Sequence, residues 1–360
     1  MTGRAVSFAL SAAISLSAAG WEWTVPAGFP KPRVPADNPM TAAKVELGRH
    51  LFYDKRMSVN GKQSCASCHK QELAFTDGRS HAEGTTGQLH PRSSMSLVNV
   101  AYAPALTWAH PALDSLEEQA LVPMLGEDPV ELGLRGHEQQ FLDAMKQDPV
   151  YQRLLPRAFP GEREVTLQTV TKALAAFQRS IVSMRSPYDR YRWGSEPDAI
   201  SDSARRGELL FSSSERAGCF QCHGGWNFSS VRFDGPGEAI DRNGFFFNTG
   251  VSAYKPPNRG IREHTHRPED VGKFRAPTLR NIAVTAPYMH DGSLPTLEAV
   301  IDHYAAGGRM EHVNKTLILR RFQLSEEEKR DLIEFLKTLT DEELLRNPRW
   351  SDPWPRSGKR

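Results

Sequence analysis

Cys65-Ala66-Ser67-Cys68-His69 decides how the rest of the chain is read. Two thiols three residues apart can add across the two vinyl groups of one haem, and the histidine that follows directly is placed to bind the iron. The pentapeptide therefore reads as a c-type haem attachment site. It returns as Cys219-Phe220-Gln221-Cys222-His223, and the two copies use all 4 cysteines of the chain. A zinc knuckle or a pair of small disulfides would not require histidine at the next position both times. The sequence implies two covalently bound c-type haems.

Around each motif the pattern is similar. Thr41 to Tyr53 reads as a helix with Val45, Leu47, Leu51 and Phe52 as its apolar positions, and it leads into the first motif. Ser203 to Phe211 reads as a second helix and leads into the second motif, so the order helix then attachment site repeats. Between them, Leu167, Val170, Leu174, Phe177 and Ile181 recur at steps of three and four, which predicts a core helix over Thr166 to Met184. Ser186-Pro187 should break it, leaving Tyr188 to Pro197 as an interdomain linker. Gly20 to Pro39 is expected to wrap the surface in extended form, and Arg232 to Lys273 to form a long loop over the second haem. Ser325 and Glu328 make a capping box before a helix whose apolar face is Leu332, Phe335, Leu336 and Leu339. The fold class is therefore mainly α: two cytochrome c-like haem domains with long irregular loops.

The 360 residues suffice for two domains, one haem each. Expected boundaries are a signal peptide at 1–19, an N-terminal haem domain at 20–187, a C-terminal haem domain at 188–345 and a tail at 346–360. The signal rests on Arg4, the apolar and small run from Ala5 to Leu16, and Ser17-Ala18-Ala19 before Gly20. Export suits c-type haem, which is attached outside the bacterial cytoplasm, so the mature protein is expected in the periplasm. No other run approaches the roughly 20 apolar residues of a membrane span. Lys plus Arg number 45 against 43 Asp plus Glu, which leaves no basic footprint for nucleic acid.

Longer blocks carry a resemblance. Glu46-Leu47-Gly48-Arg49, Leu73-Ala74-Phe75-Thr76-Asp77-Gly78, Asp128-Pro129-Val130-Glu131-Leu132-Gly133, Phe274-Arg275-Ala276-Pro277-Thr278-Leu279-Arg280-Asn281 and Thr285-Ala286-Pro287-Tyr288-Met289-His290-Asp291-Gly292-Ser293 stand in this order around the two haem motifs. In these the chain resembles the bacterial di-haem cytochrome c peroxidase superfamily, including its MauG-like and MbnH-like members.

The resemblance implies that peroxide reacts at the N-terminal haem, with His69 as proximal ligand. The position of the family's resting-state distal histidine falls at Thr85, which leaves that iron open unless His81, His90 or Met95 fills it. Glu131 stands where the family places its acid/base, with Glu127 and Asp128 close by. Gln119 aligns with a hydrogen-bonding neighbour and Pro123 with a pocket wall. At the second haem His223 is the implied proximal ligand and Tyr304 the distal one, where cytochrome-fed peroxidases have methionine. Met289, Met310, His303 and His312 are the alternative ligands there. Trp108 matches the indole set between the haems. A calcium ion is implied between the domains, bound by the carbonyls of Thr285 and Pro287, with Ser93 or Asn99 as the side-chain ligand.

The function this implies is a periplasmic oxidoreductase using hydrogen peroxide. In the MauG-like form a high-valent state shared by two haems oxidises a side chain of a partner protein, most simply tryptophan. The alternative is a peroxidase that reduces peroxide with electrons from a small cytochrome c or cupredoxin. An electron-transfer cytochrome without catalysis would need both irons six-coordinate.

Overall fold

The computed structural model describes residues 21–26, 29–162, 164–230 and 242–355. The expected signal peptide, the start of the 232–273 loop and the last five residues lie outside these. No helix among the described residues is long and apolar enough to cross a membrane. The fold is mainly α, with two cytochrome c-like haem units and long irregular connections.

Each unit is built on one pair of crossing helices. In the first, Thr41 caps the Ala42–Tyr53 helix by accepting a hydrogen bond from the Lys44 N–H at 3.1 Å. This helix crosses Leu167–Arg179, and Leu47, Leu51, Phe52, Val170, Leu174 and Phe177 are buried between them and their neighbours. In the second, Asp202–Ser212 crosses Glu326–Lys337, which begins at the expected Ser325 and Glu328 capping box. Phe211, Leu332, Phe335, Leu336 and Leu339 form its core. One-turn helices at Cys65–Cys68 and Phe220–His223 follow the first member of each pair. The repeat in the sequence is thus a repeat in space.

Two expected boundaries shift, each for a local reason. The helix predicted to reach Met184 stops at Arg179. Beyond it, Asn99 takes over the backbone: its N–H donates to the Ile181 carbonyl, while its side chain bonds both the N–H and the carbonyl of Ser183. Tyr188 to Pro197, expected as a linker, contains the Pro187–Trp193 helix instead. Proline is well suited to the first turn of a helix, where its missing N–H costs nothing. Ser186 caps this helix with Asp189 as its capping-box partner, so the Ser-Pro pair ends nothing and starts a new element.

The 242–273 region is irregular as expected, apart from a short helix at Arg262–Thr265 and a two-residue strand, Phe246–Phe247, paired antiparallel with Phe274–Arg275. The end of the chain was expected to finish the second domain and trail away. It returns to the first unit instead. Leu344, Leu345 and Trp350 belong to the N-terminal core, Trp350 Nε1 donates to the Ser180 carbonyl at 3.0 Å, and the Tyr53 hydroxyl donates to the Trp350 carbonyl at 2.7 Å.

Candidate active site

The first attachment site is organised by the block Leu73 to Gly78. Ala74 and Phe75 both adopt positive φ, 51° and 61°, which is unusual for residues with a side chain. This turn aims the Phe75 carbonyl at the His69 ring, where Nδ1 lies 2.8 Å away. A histidine whose Nδ1 is held by a carbonyl presents Nε2 to a metal in a fixed orientation. The second site repeats the device. His223 Nδ1 lies 3.0 Å from the Pro277 carbonyl and 3.3 Å from that of Phe228, whose φ is 50°. Burial keeps both imidazoles neutral, pushing His223 down to about 4, as metal ligation requires.

None of the four cysteines is joined to another in a disulfide. Burial pushes Cys65, Cys68 and Cys219 up to about 12 and Cys222 to about 11. Beside the second motif lies a cavity of about 690 Å³, within the range of cofactor pockets. It is lined by Cys219, Cys222, His223 and Tyr304, and it extends to Thr76, Met95 and Val98 of the first unit. Paired thiols, an oriented neutral histidine and this room together fit c-type haem. The pocket against Cys65, Cys68 and His69 is smaller, about 80 Å³.

Glu131, Gln119 and Pro123 all line that smaller pocket. Gln119 and Pro123 sit one turn apart on the Leu116–Leu125 helix, so they share a face. The Glu131 segment is clamped to them: the Leu132 N–H donates to the Pro123 carbonyl at 2.9 Å and the Thr85 N–H donates to the Glu131 carbonyl at 2.8 Å. Gly84 comes so close to the Val130 carbonyl that a Cβ would sit 1.8 Å from it. Thr85 thus braces the glutamate loop and is absent from the pocket lining. Burial alone pushes the Glu131 carboxyl up to about 7. Its sequence neighbours face water: Glu127 pairs with Arg135 at 3.2 Å and Asp128 accepts from Gln88.

The alternative ligands separate. His81 and Met95 do not line the first pocket; His81 Nδ1 bonds the His90 carbonyl, and Met95 sulfur accepts from Arg275. His90 does line it, with Nδ1 held 3.1 Å from the Arg92 N–H. At the second site His303 Nε2 is spent on the Thr249 carbonyl, His312 Nδ1 lies near Asn248 and Asn314, and Met310 is exposed. Tyr304 and Met289 both line the large cavity. Burial and the two nearby cysteines push the Tyr304 phenol well above its ordinary value.

Trp108 is in the wall of the same cavity, its indole N–H donating to the Ser93 carbonyl at 2.9 Å. Of the expected calcium donors, Thr285, Pro287, Ser93 and Asn99 also line it. Asn99, however, spends its carboxamide on Ser183 and Asn227, and the Ser93 hydroxyl donates to Met289. The remaining donors are the neutral carbonyl oxygens of Thr285 and Pro287, a weak set for a calcium ion.

Residues 42–197 match the family model described as di-haem cytochrome c peroxidase, and residues 273–306 match a RoxA-like, cytochrome c-like model. The chain is 35% identical to the methylamine utilization protein MauG of Methylorubrum extorquens, over 95% of this chain and 90% of that protein. It is 37% identical to the cytochrome-c peroxidase IdrP1 of Denitromonas iodatirespirans, over 88% of this chain and 86% of that one. A crystal structure of a MauG-like protein associated with microbial copper homeostasis superposes with a TM-score of 0.88 at 42% identity, covering 93% of this chain and all of that one. The oriented histidines, the paired cysteines and the whole-chain likeness agree: this chain is an oxidoreductase of the di-haem cytochrome c peroxidase family, a MauG-like member.

Proposed function

We propose that the protein is a periplasmic MauG-like enzyme that uses hydrogen peroxide to oxidise a side chain of a partner protein, tryptophan being the side chain best suited to give up electrons. The observation that carries this reading is that Tyr304 lines the same cavity as Cys219, Cys222 and His223. An oxygen ligand favours the oxidised metal, where a thioether would favour the reduced one. Export of the mature chain is supported by the pattern of residues 1–19 and by the haem motifs themselves.

When bound, the haems supply the redox chemistry of peroxide cleavage and hold the two oxidising equivalents. The chain's own residues do the rest. Glu131, poised near neutral pH by burial, takes the proton from the near oxygen of peroxide and returns it to the leaving oxygen. Gln119 offers a hydrogen bond to the same substrate, and Pro123 narrows the pocket so that the peroxide stays within reach of the carboxylate. Trp108, fixed by its bond to Ser93, provides an aromatic step between the two units.

A peroxidase drawing electrons from a small cytochrome c or cupredoxin is the second reading, favoured by the likeness to cytochrome-c peroxidase IdrP1. Mixing the fully oxidised protein with peroxide, without reductant, separates them. The first reading requires a rapid change of both haem spectra. A silent oxidised protein that reacts only after one-electron reduction, together with a second haem of clearly positive potential, establishes the peroxidase instead.

A further inference from the structure

Gln178 lines the small pocket against Cys65, Cys68 and His69, one turn along the Leu167–Arg179 helix from Leu174, which lines it too. The residue is only 5% exposed, yet its carboxamide makes no hydrogen bond among the described residues. Buried carboxamides in folded proteins are nearly always bonded at one end or both. Gln88, on the same wall, shows the ordinary state: its Nε2 donates to Asp128 at 3.2 Å and its Oε1 accepts from the Val130 N–H at 3.0 Å. A leucine would fill the place of Gln178 without leaving a buried polar group unanswered. The partner of this carboxamide is therefore whatever enters the pocket.

The neighbours of Gln178 say what that is. Arg179, next in the chain, pairs at 2.7 Å with Glu117, in the first turn of the Leu116–Leu125 helix that carries Gln119 and Pro123. The turn holding Gln178 is thus tied to the helix whose side chains face the substrate. Gln63, also on the lining, donates through Nε2 to the Glu83 carbonyl at 2.8 Å and leaves Oε1 buried without a donor. The pocket leaves N–H donors free at Gln178 and an acceptor free at Gln63. Hydrogen peroxide answers both, since each of its oxygens carries an O–H and lone pairs. The carboxylates of a haem are a poorer match, because no Lys or Arg lines this pocket to neutralise them.

We propose that Gln178 is a second carboxamide of the peroxide site, donating through Nε2 to the substrate alongside Gln119 while Glu131 handles the proton. This rests on the reading that peroxide enters the first pocket, and it adds a group that holds the substrate there.

The test titrates the oxidised di-haem protein with fluoride, a small anion that binds ferric haem iron and can only accept hydrogen bonds. In Gln178→Leu the fluoride dissociation constant should rise about tenfold, the worth of one hydrogen bond, and the second-order rate with peroxide should fall by a similar factor. The dependence of that rate on pH should keep its shape, since Glu131 is untouched. Thermal stability of the variant should be unchanged or higher, because an apolar side chain replaces a buried carboxamide that has no partner in the chain. Gln178→Met, closer in shape, carries the same measurements if the leucine variant does not fold. Unchanged fluoride affinity in a folded variant overturns the proposal. Loss of stability in both variants does so too, by giving Gln178 a structural role. A shifted potential of the first haem with unaltered fluoride affinity also overturns it, because Gln178 would then hold the haem and not the substrate. If the oxidised protein is silent towards peroxide, the titration is run after one-electron reduction, with the first iron still ferric. Silence of that kind sinks the MauG-like reading alone, and unaltered fluoride affinity sinks the role of Gln178 alone.

Discussion

Gly48 lies directly against the carbonyl of Ala173, so closely that a Cβ on Gly48 would sit 1.9 Å from that oxygen and 2.9 Å from the Cβ of Phe177. The same relationship recurs in the second unit, where a Cβ on Gly207 would sit 2.0 Å from the Asp331 carbonyl and 2.8 Å from the Cβ of Phe335. In each unit the helix that leads to the haem motif crosses its partner at a glycine, with a phenylalanine beside the contact. Only glycine lets two backbones approach this far. Gly48→Ala and Gly207→Ala should each force the helices apart and cost about 1–3 kcal/mol, read as a lowered denaturant midpoint in the haem-loaded protein. Alanine at both positions without loss would mean that the crossings are looser than described.

Arg280 and Asp189 form a buried bidentate pair, with Nη1 to Oδ2 at 2.7 Å and Nη2 to Oδ1 at 2.9 Å, and Arg280 also donates to the Trp226 carbonyl. Asp189 in turn accepts from the Ser186 N–H and hydroxyl. Removing one partner strands a buried charge, so Asp189→Ala is expected to destabilise by about 3–5 kcal/mol. Replacing Asp189 and Arg280 together by apolar residues should recover part of that loss. Thermal unfolding of the two variants checks the sign.

Glu131 is expected to set the pH dependence of the proposed reaction with peroxide. Its carboxyl is raised to about 7 by burial, so the fraction able to accept a proton grows as pH rises through that value. The second-order rate with peroxide should therefore climb between about pH 6 and 8 and level off. Glu131→Gln should remove this limb and slow the reaction about 100-fold or more. Stability runs the other way. The folded protein holds this proton to higher pH than the unfolded chain, so the contribution is full below the ordinary glutamate range and is lost as pH rises towards 7. The glutamine variant should lack that decline in an unfolding series against pH.

Tyr304→Phe and His90→Phe separate the ligand alternatives. If Tyr304 binds the second iron, its replacement changes the spectrum and raises the potential of that haem, and His90→Phe leaves both haem spectra unchanged. A first haem that becomes open only in His90→Phe would mean that this histidine fills the sixth position. Unaltered spectra in Tyr304→Phe would return the ligand role to Met289, which lines the same cavity.

Trp350 anchors the end of the chain to the first unit through its indole N–H and its carbonyl. Trp350→Ala should cost about 3–5 kcal/mol, as for other large buried aromatics. Loss of spectral signal from the first haem before the second during denaturation would place the damage in the expected unit.

Some of this protein is written locally and some is not. Cys65-Ala66-Ser67-Cys68-His69, its second copy, the Thr41 cap and the Ser325 capping box each act within a few residues. Their covalent spacing suits attachment and ligation and dictates the helix starts, and the helix starts stand in the structure as expected. Other features depend on residues far apart in the chain. Glu131 is singled out from Glu127 and Asp128 only because Pro123 and Thr85 hold its loop against the pocket. The blocks around Phe75 and Pro277 gain their purpose only when their carbonyls meet His69 and His223. The start of a helix at Pro187 is written in Ser186-Pro187-Tyr188-Asp189, where the same Ser-Pro pair that reads as a break also makes a capping box with Asp189. No periodicity announces that Leu344 and Trp350 return to the first core. Burial chooses among chemically equal candidates, and burial is a property of the packed whole.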